Sequence, residues 1–156
     1  MRVLLIALTL VACAPGDTAK DNAEQDAATT AEAGVTAEAS SVEQALASMP
    51  PWPNARAAGV DFRAVGQEPG WILDIYRENT IRLLWDYGEH VASFPLTPPT
   101  FPAEGATRYT TQAGGRTLAI TIRRAPCQDA MSGEAYPSTV EVVIDRRTLT
   151  GCGRSV

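Results

Sequence analysis

Between residues 60 and 145 apolar side chains recur at every second position, and no apolar stripe of helical period outlasts a single turn. Period 2 places alternate side chains on one buried face of a strand, so this stretch can build sheet and little else. Strands are expected at 60–66, at 71–76 with Trp71, Leu73 and Ile75 on one face, and at 81–87 with Ile81, Leu83, Trp85 and Tyr87 on one face. Weaker alternation covers 89–94, and further strands are expected at 107–111, 117–122 and 139–145, with a short last one near Leu149. Asn79, the pair Gly114 and Gly115, and the pair Arg146 and Arg147 supply turns between them. Pro98, Pro99 and Pro102 make a stiff connection that no central strand could contain. The reading is an all-β domain of about eight short antiparallel strands, a small barrel in which closure removes exposed edges; a two-sheet sandwich is the alternative. Its inward residues are Trp71, Leu73, Ile75, Leu83, Trp85, Leu118, Ile120, Ile122, Val140, Val142 and Ile144.

The first half of the chain has a different character. Arg2 is followed by an apolar run ending at Ala12 and Cys13, too short for the about 20 residues that cross a hydrocarbon core. Residues 1–12 therefore read as an export signal. Leu10, Val11, Ala12 and Cys13 resemble the lipobox of bacterial lipoproteins, which implies cleavage before Cys13 and acylation of its thiol and amine; an ordinary secretory signal cut near Ala14 is the other reading. Several acyl chains would hold the protein to a membrane, where one alone binds only marginally. In lipoproteins of this type Ala14 in place of Asp implies the outer membrane, facing the periplasm. Residues 13–54 carry seven acids against Lys20 and few large apolar side chains, the composition of a disordered acidic tether. Within it Ser40 and Glu43 match a capping box ahead of a short helix that Pro50, Pro51 and Pro53 would end, and Trp52 is placed to pack on the edge of the domain. The folded domain is expected over 55–156.

That domain balances eleven Arg against eleven acids and has no Lys. A neutral domain gives no reason to expect nucleic acid, which demands clustered positive charge. With Cys13 acylated, Cys127 and Cys152 remain as a pair in an oxidising compartment, and a disulfide between them is expected. The cysteines bracket a loop with Asp129, Ser132, Gly133, Glu134 and Tyr136: a candidate binding loop, or a turn whose Asp and Ser bond to their own backbone. Met131 is expected to pack inward beneath it. Glu68 and Trp71 flank Pro69 and Gly70 and form a candidate second surface, or a tight turn leading into a core tryptophan. His90 is the only histidine, with no nucleophile motif or metal-ligand spacing beside it. No catalytic residue, metal ligand or cofactor is assigned, and the domain reads as non-enzymatic.

Two resemblances refine this. Phe62, Ala64, Gly66, Glu68, Pro69 and Trp71, then Cys127, Asp129, Met131 and Ser132, Tyr136 and Pro137, and lastly Gly151, Cys152 and Arg154, are together similar to a widespread family of uncharacterised bacterial envelope lipoproteins. This likeness spans 60–154 and implies a lipid-anchored envelope domain but no activity; the domain itself reads as a module for binding or stress protection whose ligand is unknown, a protein or a cell-wall component being the candidates. More narrowly, Ser132, Gly133 and Tyr136 resemble the Ser-Gly-x-x-Tyr loop of membrane-bound inhibitors of c-type lysozyme, which implies inhibition by insertion of that loop. The inhibitors' second, lysine-containing motif has no counterpart.

Overall fold

The computed structural model describes Glu43, Gln44 and residues 46–156. Cys13, the export signal and most of the acidic segment lie outside the described residues. A short helix, α1 (Trp52–Ala55), precedes eleven strands. These are β1 (Val60–Gln67), β2 (Gly70–Tyr76), β3 (Thr80–Trp85), β4 (His90–Pro95), β5 (Thr100–Ala103) and β6 (Ala106–Ala113). After them come β7 (Arg116–Arg123), β8 (Cys127–Gln128), β9 (Ala135–Tyr136), β10 (Ser138–Ile144) and β11 (Arg147–Ser155).

Nine strands form one antiparallel sheet in the order β4-β3-β2-β1-β11-β10-β7-β6-β5, curled into a half-barrel, and β8 and β9 make a small second ribbon. A sandwich is thereby excluded. The curl brings the end of β4 against β6 without a backbone ladder. Hydroxyls stitch the seam instead: Thr111 Oγ1 donates to the Pro95 carbonyl at 2.8 Å and Thr97 Oγ1 to the Thr110 carbonyl at 3.0 Å.

The inner face is the core. Ten of the eleven residues expected to point inward are buried there, joined by Ile81, Phe94 and Leu149; Ile122 is partly buried at its margin. Four local expectations change. The strand beginning at Ile81 stops at Trp85, because Asp86 and Tyr87 take positive φ (53° and 57°) in a 3-10 turn, Asp86–Gly88. Tyr87 is consequently 61 % exposed and lies over Gly70 instead of inside the sheet. The proline-rich connection contributes β5, but at the sheet edge, where the missing N–H of Pro102 breaks no ladder. The last strand is nine residues long and central, paired with both β1 and β10. After Leu149 its inward positions are hidden from a hydropathy reading because they are glycines: a Cβ at Gly151 would collide with Trp71 and the Val65 carbonyl, and one at Gly153 with Phe62. Small residues on β11 are what let two large aromatics fill the barrel.

The outer face of β1–β3 is covered as well. Met49 is buried against Leu84, with Ile72 packed beside them, and Arg82 Nη1 donates to the Ser48 carbonyl at 2.7 Å. Ordered packing thus begins upstream of residue 55. Next to this strap Arg63 and Asp74, cross-strand neighbours, form a two-pronged ion pair with both bonds at 2.6 Å and side chains 3 % and 0 % exposed. Trp52 lies over the Arg63 guanidinium, 5.1 Å from ring centre to carbon, and so packs on the domain as expected.

Candidate functional site

The loop after β7 is fastened to the outer face by the expected disulfide. Cys127 and Cys152 are bonded, with their Cα atoms 5.5 Å apart. Beyond it Asp129 organises the turn. Its Oδ1 accepts from the Ser132 amide at 2.7 Å, the Ser132 hydroxyl at 2.8 Å and the Met131 amide at 3.2 Å; its Oδ2 accepts from Gln67 Nε2 at 2.8 Å. Four donors hold the carboxylate ionised, and the Ser132 amide leads in lowering its pKa to about 2. Gly133 takes a positive φ of 69° so that its amide can reach the Asp129 carbonyl at 2.9 Å. The Ser132 hydroxyl also accepts from the Glu134 amide at 3.2 Å.

Met131 does not pack inward. It is 73 % exposed, because the carboxylate of Asp129, saturated by the loop's own amides, occupies the buried position beneath the turn. Tyr136 is buried in β9, and its hydroxyl donates to Glu134 Oε2 at 3.0 Å. Burial first, then this carboxylate partner, raises the Tyr136 pKa, while bonds from Arg154 and Tyr136 lower that of Glu134. Arg154 closes the assembly: Nη1 donates to Glu134 Oε1 at 2.6 Å, and the guanidinium lies 4.4 Å from the Trp52 ring centre and 5.2 Å from that of Tyr136. Asp129, Ser132, Gly133 and Tyr136 are therefore brought together as expected, but their polar atoms face one another. Gln67, Arg154 and Trp52, the groups that lock the loop onto the sheet, are not candidate loop residues in the sequence; the arginine two positions after Cys152 and the expected packing of Trp52 are the available signals.

Glu68 and Trp71 do not make a common surface. Trp71 is 2 % exposed in the core with its indole N–H directed to the Thr150 carbonyl at 3.3 Å. Glu68 accepts from the Tyr87 hydroxyl at 2.8 Å, which raises the Tyr87 pKa. His90 is an exposed strand residue at the opposite end of β3 and β4 from the seam, its ring 5.1 Å from that of Trp85 and Nε2 3.7 Å from Asp86. Among the described residues no three His, Cys, Asp or Glu side chains cluster as a metal site would require.

The principal concavity is one that the strand readings did not single out. At the end of the half-barrel where β1 and β10 begin and β2, β7 and β11 finish, the sheet leaves a cleft of about 670 Å³. Phe62, Ile75, Leu96, Tyr109 and Ile122 form its apolar wall, and Phe101 of β5 stands at its rim, 74 % exposed. Asp61 and Arg77 pair across the rim at 2.6 Å. A volume within the about 300–1,000 Å³ of small-molecule sites, at a barrel mouth, is the ordinary form of a ligand pocket. A second depression of about 520 Å³ lies beside the stapled loop, with Thr121, Arg123, Thr139 and Glu141 among the residues lining it.

Compared with family models, curated proteins and solved structures, the chain matches none.

Proposed function

We propose that this is a lipid-anchored protein of the bacterial envelope, held by Cys13 at the periplasmic face of the outer membrane, whose β domain is a non-enzymatic binding module. The observation that carries the binding role is the open mouth of the half-barrel, a cleft with one apolar wall, a polar margin and an uncovered aromatic at its rim. The anchor rests on the apolar run that ends directly at Cys13. In the lysozyme-inhibitor reading the loop would present Ser132 and Tyr136 to an enzyme cleft. Both hydroxyls are instead engaged by Asp129 and Glu134, which favours the barrel mouth as the working surface.

The test is native mass spectrometry of the full-length protein extracted from envelopes. A non-covalent adduct is expected on the wild type and not on Ala103→Trp, which fills the rim from an exposed position. An adduct retained equally by both, or none on either, would refute the barrel-mouth reading. In the same cells Cys13→Ser should move the protein into the soluble fraction.

A further inference from the structure

The polar side chains of the cleft fall into two groups: Asp61, Arg77 and Tyr76 already have partners, whereas one guanidinium and several hydroxyls have none. Among the described residues the Arg124 guanidinium, the Tyr109 hydroxyl and the Ser138 hydroxyl all line the cleft and make no side-chain hydrogen bond or ion pair. Ser138 is 8 % exposed, with its hydroxyl at the cleft surface. Arg124 is fixed by its backbone, whose amide donates to the Gly105 carbonyl at 2.8 Å, and this sets the side chain beside the turn between β5 and β6. The lining acids and arginines balance, two of each. The Asp61 carboxylate is taken by Arg77, and Glu104, the other lining acid, is on the exposed turn and pairs with no arginine.

The donors and the wall together ask for a ligand with a long apolar body and one acceptor-rich end. Arginine and hydroxyls recognise a carboxylate or a phosphate through charge-assisted bonds, which are roughly twice as strong as neutral ones. Phe101 supplies the complementary apolar term. Pro98, Pro99 and Pro102 restrict the backbone on either side of it, so it cannot fold back freely onto the barrel, and a chain lying in the cleft would cover it.

Resting on the barrel-mouth reading, we propose that the ligand is a single-chain amphiphile with an anionic head, its chain along Phe62, Ile122 and Phe101 and its head at Arg124, Tyr109 and Ser138. A free carboxylate and a phosphate monoester share this chemistry, as fatty acids and lysolipids would present them.

Calorimetric titration of the intact domain with dodecanoate, dodecyl phosphate, dodecanol and dodecyltrimethylammonium, each below its micelle concentration, tests this. One-to-one binding of the anions is expected, with dodecanol at least about tenfold weaker because the charge-assisted bonds are lost. The ratio of the two anions identifies the source. Arg124→Gln should bring the preferred anion down to the level of dodecanol, and Phe101→Ser should weaken every chain about fivefold to tenfold. Both positions are exposed, and unchanged melting temperatures would show that the fold is intact. Dodecanol or the cation binding as well as the anions, or Arg124→Gln without effect, would overturn the proposal. Absence of binding by all four probes would also overturn it, while a mass-spectrometric adduct of another class would leave the barrel-mouth reading standing.

Discussion

Asp74→Ala should be among the most damaging single substitutions in the domain. Asp74 is fully buried, and both of its oxygens are taken by Arg63 at 2.6 Å. Removing it leaves a guanidinium, itself 3 % exposed, with no counter-charge under the strap. Stranding one partner of a buried pair costs about 3–5 kcal/mol, a large part of the about 5–15 kcal/mol that holds a domain together. The Trp52 ring over Arg63 offsets little, since such a contact is worth about 0.5–2 kcal/mol and is present before and after. Urea unfolding followed by fluorescence of Trp52, Trp71 and Trp85 reads the effect, and the midpoint should fall by about 2 M for a typical slope. Arg63→Met with Asp74→Leu removes both charges and keeps comparable volume. It should recover most of the loss, because apolar replacement of a buried pair is near neutral or stabilising. A loss under about 1 kcal/mol in Asp74→Ala would mean that water reaches the pair, and the covering role given to the strap would be wrong. A double variant as unstable as the single would show that the charges themselves hold β1 to β2.

Two further expectations concern the stapled loop. Replacing Cys127 and Cys152 together by Ala should cost roughly 3.5 kcal/mol by the entropy of a loop of 25 residues, read as a lower thermal midpoint; an unchanged midpoint would mean that the Gln67 and Arg154 contacts alone hold the loop. Asp129 has a folded pKa below its unfolded value of 3.8, so its contribution is fully present above that value and is lost as pH falls toward about 2. Asp129→Asn should flatten the acid limb of stability over this window. It should also cost about 1–3 kcal/mol at neutral pH, because the bonds from the Ser132 and Met131 amides lose their charge assistance. An acid limb as steep as the wild type's would assign the titration to another carboxylate.

What could be read in the sequence was the part in which burial follows alternation. Trp71, Leu73 and Ile75 on β2, and Val140, Val142 and Ile144 on β10, declare an inner face that the fold uses without change. The central strand β11 reads as short in the sequence, because Gly151 and Gly153 carry no hydropathy yet occupy inward positions beneath Trp71 and Phe62. Arg63 and Asp74 look like solvent-facing charges in their strands. Only the covering segment from Ser48 to Trp52, distant in sequence, turns that outer face into an interior. The same limit applies to the site. Asp, Ser and Gly in one loop announce a self-bonded turn, but Gln67 lies 62 residues before Asp129, and no local pattern links them. The cleft is less legible still, since the ends of several strands build it and no single motif does.

The position of that cleft nevertheless follows from how side-chain volume is distributed along the barrel. At the end where β3 finishes and β7 begins, Trp71 and Trp85 enter the core, and Arg116 and His90 stack over Trp85 at 5.4 Å and 5.1 Å. That end is filled. At the other end β10 and β11 meet as Ser138 opposite Gly153, and β6 begins with the buried Ala106. Phe62 covers Gly153, but Ser138 and Ala106 are small where the far end has two tryptophans. Small side chains there leave the cleft open on that side, because interior space is filled by side chains. The residues that could close it, Phe101 and Leu96, sit on the proline-braced connection at the edge, which keeps Phe101 outside. The hollow, the unpaired donors at Arg124, Tyr109 and Ser138, and the uncovered phenylalanine therefore share one cause in the size pattern of the inner face. Enlarging Ser138 should abolish all ligand binding at the mouth while leaving the Trp71 end untouched.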